Sequence, residues 1–163
     1  MHNSETVANC GSVLRTPRVT LRDFHEDDAT TLAEYFSERE AQPNILRAHR
    51  RPGLIPDYVQ SMANYASSVP LSSRDQLGFA ITLTATGELI GMCSLSQAQS
   101  RGPVARMGWH LSQKYSGRGY ATEAASALIG FAFGERRFER VYADCYETNA
   151  ANRRVFSKLG MQP

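Results

Sequence analysis

The 163 residues are enough for one domain with a full core and would be cramped as two. Hydrophobic residues make up 42% and charged residues 21%, ordinary values for a soluble globular chain, and no apolar run approaches the length of a membrane span. The formal net charge of +2 is too small to argue for nucleic acid, which calls for a strong basic excess gathered on one face. The opening MHNSETVANC has no apolar signal-peptide core and reads as frayed over about a dozen residues. Cys10, Cys93 and Cys145 are odd in number and far apart, with no CxxC pair. That argues against a disulfide framework or a zinc site, and for a reducing cytoplasm with Cys93 and Cys145 as buried, inert thiols.

In chain order, RVTLRDF alternates as a strand, and HEDDATTLAEYFSE follows as a helix with acids in its first turn. AQPN and RRPGLIP are loop. PDYVQSMANYASSV spaces Tyr58, Met62 and Tyr65 as a second helix. QLGFAITLTATGELIGMCSLSQA reads as two strands joined at Thr86-Gly87, and VARMGWHLS as another. A helix from Tyr120 to about Gly134 gathers Ala121, Ala124, Ala125, Leu128, Ala132 and Phe133 on one face. RVYADCYE is a strand, and NAANRRVFSKLG a last helix closed by Gly160. The order β-α-α-β-β-β-α-β-α predicts a single α/β (α+β) domain, a mixed sheet flanked by helices, with the final strand left as an edge.

YSGRGYATEA, Tyr115 to Ala124, sets Gly117 and Gly119 directly before a helix. The first amides of a helix have no partner within it, and the dipole adds about half a positive charge, so a phosphate fits there. The spacing is neither GxGxxG nor a P-loop, since Thr122 stands where the third glycine or alanine would be and no Gly-Lys-Ser/Thr closes the turn. A tight strand-to-helix turn would also need these glycines.

MGWHLSQKYSGRGYATEA followed by RVYADCYETNAANRRVFSKLGM resembles the GNAT superfamily of acetyl-CoA-dependent N-acetyltransferases, and within it the Rim-type branch of ribosomal-protein alanine N-acetyltransferases. TPRVTLRDFHEDDATTLAEYFSE is similar to that branch's first strand and helix. The resemblance implies a largely antiparallel sheet and acetyl-CoA as co-substrate, with no metal. It implies that Gly117, Arg118, Gly119, Tyr120 and Ala121 hold the coenzyme pyrophosphate, with Thr122 adding a hydroxyl. His110, Leu111 and Ser112 would end the strand along which the pantetheine arm lies. Asn149 would bond that arm, with Asn152 nearby, although Asn149 also suits an N-cap. Lys158 and Arg153 could meet the nucleotide phosphates or form a solvated helix face. The family normally adds a hairpin after the last helix, where GMQP stops.

The chain departs from the branch at the reacting centre. Arg106 occupies the usual glutamate position and Phe156 the position of a proton-donating tyrosine. His110 is the replacement base to consider, because histidine titrates near neutrality; a packed core histidine is the competing reading. Keeping an α-amine neutral at pH 7 costs about 1–1.5 kcal/mol, whereas a lysine amine costs about 4–5. A chain without a strong base therefore suits a protein or peptide α-amine, acetylated by direct transfer in a ternary complex. A small-molecule amine, or a coenzyme A-binding protein without catalysis, are the alternatives. Residues 42–74 should line the acceptor site, and their basic LRAHRRPG hints at an acceptor with negative charge near its amine. No nucleic acid or membrane partner is expected, and either a monomer or a homodimer is.

Overall fold

A computed structural model describes residues 14–40, 54–98 and 102–163. Cys10, residues 42–53 and the basic LRAHRRPG segment lie outside the described residues. The elements are β1 (Leu14–Arg15), β2 (Val19–Arg22), α1 (Asp28–Glu40), α2 (Ile55–Ser68), β3 (Gln76–Leu83), β4 (Leu89–Gln97), β5 (Val104–Leu111), α3 (Tyr120–Gly134), β6 (Arg140–Tyr142) and α4 (Ala150–Lys158). They form one six-stranded sheet in the order β1-β2-β3-β4-β5-β6. Every neighbouring pair is antiparallel except β5 and β6, which run parallel. This is the mixed, largely antiparallel α/β architecture expected. The sequence reading missed two-residue β1 and made the last strand too long: pairing stops at Tyr142 and the chain to Asn149 is irregular.

Period-two alternation divides the core between the two faces of the sheet. Phe79, Ile81, Cys93, Leu95, Met107, Trp109 and Leu111 face α3, whose Ala124, Ala125, Leu128, Phe131 and Ala132 are buried against them. Ala80 and Met92 face the other way, onto Leu32 and Phe36 of α1 and Val59 and Met62 of α2. Phe133, expected on the buried stripe of α3, is 45% exposed, and Phe131 takes its place. The α3 stripe is set by the 124, 125, 128, 131, 132 spacing, and Phe133 falls about 100° away from Ala132.

Polar side chains fasten the helices to the sheet ends. Arg22 grips Asp28 with both terminal nitrogens, at 2.7 and 2.8 Å, and the His25 amide donates to the same carboxylate. Burial pushes the Asp28 carboxyl up, but these bonds and the Arg22 charge outweigh it and hold its pKa below the ordinary value. Asp28 thus fixes the start of α1, where the dipole favours a carboxylate.

Arg74 is buried beside Asp23, with Nη1 2.7 Å from Oδ1 and Nη2 3.1 Å from Oδ2. It also donates to the carbonyls of Ala66 and Val69 at the end of α2. One guanidinium therefore ties β2 to the terminus of α2. Arg74→Ala would leave Asp23 charged and buried, together with unmatched helix carbonyls, and should cost about 3–5 kcal/mol of stability in a urea titration.

Candidate active site

Strands β5 and β6 pair only at Val104–Arg140, Ala105–Val141 and Arg106–Tyr142. Beyond that third rung they part, and β5 runs on for five residues to Leu111. On its other side β5 stays paired to β4 throughout. The Ser112 amide donates to the Ile90 carbonyl at 2.9 Å, and the Ala98 amide to the Val104 carbonyl at 2.8 Å. Even-numbered residues of β5 therefore bond to β4. The main-chain groups of Met107, Trp109 and Leu111 point toward the side that β6 has left.

This open edge forms one wall of a cleft of about 300 Å³. Trp109 and Leu111 line its strand side, and Tyr115, Ser116, Gly117 and Gly119 its turn. Tyr120, Ala121 and Thr122, the first residues of α3, close that end. The opposite wall is α4, through Ala151, Asn152, Arg154, Val155 and Lys158. Their spacing of three and four residues puts them on one helix face.

Gly119 caps α3 at φ 83°, and no side chain caps the helix. Its leading amides are thus open to the cleft. Gly117 has φ 77°. Both glycines occupy the left-handed region that L residues rarely adopt. Arg18 braces the turn from behind. Its Nη1 donates to the Arg118 carbonyl at 3.0 Å, and its Nε and amide bond Glu123 at 2.6 and 2.9 Å. Thr16 donates to the same carboxylate at 2.6 Å. Partial burial pushes the Glu123 carboxyl up, but the Thr16 and Arg18 bonds prevail and keep its pKa depressed. Below the turn, Tyr115 donates its hydroxyl to Glu88, which Lys114 also meets at 3.3 Å.

Of the site residues expected from sequence, Leu111, Gly117, Gly119, Tyr120, Ala121, Thr122 and Asn152 come together around this cleft. Asn149 is the N-cap of α4, its side-chain oxygen accepting from the Asn152 amide at 3.0 Å. Ser112 is buried with its amide in the sheet, and Arg118 presents its carbonyl to Arg18. His110 lies on the α1/α2 side of the sheet, tilted against Phe36 with ring centroids 4.8 Å apart, while its neighbours Trp109 and Leu111 face the cleft. Arg153 turns toward the Glu147 carbonyl, and Arg154 takes the place beside Lys158. Sequence reasoning missed Trp109, Tyr115, Ala151, Arg154 and Val155; the 151-154-155-158 spacing was the available signal for the helix wall.

Phe156 meets Trp109 edge to face at 5.6 Å, so it helps to hold the cleft's aromatic wall. Cys93 is buried as expected and burial pushes its thiol up; Cys145, expected to be buried, is only partly so, and its thiol is raised as well, first by the burial it has. Among the described residues no cluster of histidine, cysteine and carboxylate side chains could hold a metal ion, and no helix is long and apolar enough to cross a membrane.

The two parallel strands thus split beside an uncapped helix N-terminus, with the cleft between them. Residues 18–162 match the family described as the acetyltransferase (GNAT) domain, and the chain belongs to that family. It is an acetyl-CoA-dependent acyltransferase. The chain is 26% identical over 149 residues to the "uncharacterized N-acetyltransferase p20" of Bacillus licheniformis, covering 91% of this chain and 82% of that protein. Its fold resembles a GNAT-family acetyltransferase from Bacillus anthracis, with TM-score 0.75 and 23% identity over 93% of this chain and 84% of the other. It also resembles the ribosomal-protein-S5-alanine acetyltransferase of Vibrio fischeri, with TM-score 0.69 and 19% identity over 92% and 82% of the two chains.

The spacing of the strand wall depends on Gly91, opposite Leu111 on β4. A Cβ there would collide with the His110 carbonyl oxygen and stand 2.9 Å from Leu111 Cα. Gly91→Ala should therefore push β5 outward and cost about 1–3 kcal/mol, read from the urea midpoint. An unchanged midpoint would show that β5 moves aside freely.

Proposed function

We propose that this chain transfers the acetyl group of acetyl-CoA directly to a protein or peptide α-amine. The observation that carries the reading is the open edge of β5 running into the uncapped start of α3. The pantetheine arm lies along Met107, Trp109 and Leu111 as an added strand, exchanging bonds with main-chain groups that no longer face β6. The pyrophosphate sits on the amides that follow Gly119, and the Thr122 hydroxyl adds a donor. Arg154 and Lys158 lie where they can offset the remaining phosphate charge. The five residues from Met107 to Leu111 span roughly 17 Å, so the thioester reaches the point where β5 and β6 part.

The acceptor then approaches from the α1/α2 side, the face that carries Arg106, Gly108 and His110. The amine nitrogen attacks the thioester carbonyl, a strand amide steadies the developing oxyanion, and the C–S bond breaks as the thiolate leaves. His110, four residues along β5 from Arg106, takes the amine proton through intervening water. Phe156 supplies none to the leaving sulfur; with a thiol pKa near 8.5, unassisted departure costs about 2 kcal/mol at neutral pH. The burial that raises Cys93 and Cys145 favours direct transfer over an acetyl-cysteine carrier. An α-amine, which loses its proton more easily than a lysine, suits a strand that carries Arg106 where a glutamate base would stand; the Vibrio fischeri structure is named for alanine. Cytoplasmic action accords with acetyl-CoA as donor.

Gly119→Val would force a β-branched residue to φ 83° and place a Cβ 3.2 Å from Arg18 Nη2. Gly87→Val imposes similar backbone strain at φ 74° in the distant β3–β4 turn. Calorimetry should show acetyl-CoA binding weakened at least about tenfold by the first and unchanged by the second, since backbone strain of about 1–3 kcal/mol is common to both. Equal affinities would place the coenzyme elsewhere.

Release of free thiol from acetyl-CoA in the presence of an alanine-initiated peptide tests the reaction itself. His110→Gln should lower turnover at limiting peptide at least about tenfold and leave acetyl-CoA affinity unchanged. A His110→Gln rate equal to the parent's would take the base role from His110.

A further inference from the structure

Arg106 and Asp144 form an ion pair at the point where β5 and β6 part. Arg106 belongs to the last rung that joins the two strands, and Asp144 follows β6 by two residues. Arg106 Nε stands 2.7 Å from Asp144 Oδ2, and the side chains are 44% and 50% exposed. Nε alone makes this bond; among the described residues Nη1, Nη2 and the second carboxylate oxygen have no partner. The half-open pair therefore offers both a donor fork and an acceptor to solvent.

Its position is what gives the pair a use. Arg106 alternates with Gly108 and His110 on the face opposite the cleft-lining Trp109, so it stands on the side left to the acceptor. The neighbouring surface is kept low. Gly108 lies opposite Ser94, and even a Cβ at Gly108 would meet only Ser94 Oγ, at 3.6 Å. Ser94 and Ser96 on the same face are partly exposed. An incoming chain can thus reach the parting strands over a shallow polar floor, with the ion pair at its margin.

We infer that Arg106 and Asp144 select an acceptor that carries an acidic group close to its reacting amine. The free oxygen of Asp144 accepts an N–H of the amine and aligns its lone pair toward the thioester. The two terminal nitrogens of Arg106 take the acceptor's carboxylate, for which the planar fork is suited. The same pair disfavours an acceptor with a cationic second residue, which would face the guanidinium. This rests on the acetyl-transfer reading, and concerns only which amine that site takes.

Two tetrapeptide amides, beginning Ala-Glu and Ala-Gln and otherwise identical, are compared as acceptors by free-thiol release, with acetyl-CoA binding measured by calorimetry alongside. The parent should prefer the glutamate peptide about fivefold in kcat/KM, the size of a favourable half-exposed charge pair. Arg106→Gln should erase that preference. Asp144→Asn should raise KM for both peptides about fivefold while KM for acetyl-CoA and the thermal midpoint stay put. Acetyl-CoA binding with equal use of the two peptides, or of neither, overturns the inference alone. So does a preference that survives Arg106→Gln, or an Asp144→Asn effect shared by acetyl-CoA. Failure to bind acetyl-CoA overturns this inference together with the reading on which it rests.

Discussion

The parting of β5 and β6 after the Arg106–Tyr142 rung is the constraint on which the site depends. A fully paired strand has no main-chain groups left to offer. Here one strand keeps its partner on one side and is freed on the other, so Met107, Trp109 and Leu111 present a half-ladder of donors and acceptors. The sheet can hold that geometry because β3 with β4, and β4 with β5, pair over seven residues each and are packed on both faces. Rigidity on one side makes openness on the other possible.

A second requirement is that the turn after β5 stay in place without filling the cleft. Glycines at φ 77° and 83° shape it, and their lack of side chains leaves its surface bare. The turn is held from outside instead. Arg18 bonds the Arg118 carbonyl, its ring contact with Tyr120 lies at 5.1 Å, and Glu123 fixes both Arg18 and Thr16. The anchoring residues come from the chain just before β2, about a hundred residues away in sequence, so the first strand region and the glycine turn are mechanically joined. On the other flank Tyr115 reaches Glu88 at the β3–β4 turn.

The two sheet faces divide the labour. The α3/α4 face carries the cleft, with Trp109 backed by Phe156. The α1/α2 face carries the polar row of Arg106, Gly108 and His110, with Phe36 against the histidine. Strand alternation alone assigns successive residues to opposite faces: Trp109 to the cleft side and His110 to the α1/α2 side. Asn149 caps the helix through its oxygen, which accepts from the Asn152 amide, and that bond leaves its Nδ2 group uncommitted.

The sequence by itself determined the strands and helices in order, the turn glycines and the helix that follows them, because period-two and period-3.6 patterns and left-handed glycines are local properties. It also carried the family resemblance, since the glycine turn and the asparagine-led last helix are contiguous motifs. Only the tertiary structure decided which of those residues meet. It put Arg154 rather than Arg153 on the cleft, a choice made by a rotation of about 100° around α4. It paired Arg106 with Asp144 and Arg18 with Glu123, which depend on strand register and crossing. It ended β6 at Tyr142 although the strand-like pattern continues, because β-pairing needs a partner and the chain parts from β5 there. Periodicity tells which face a side chain takes; what stands opposite that face is fixed only when the sheet has closed its ladders.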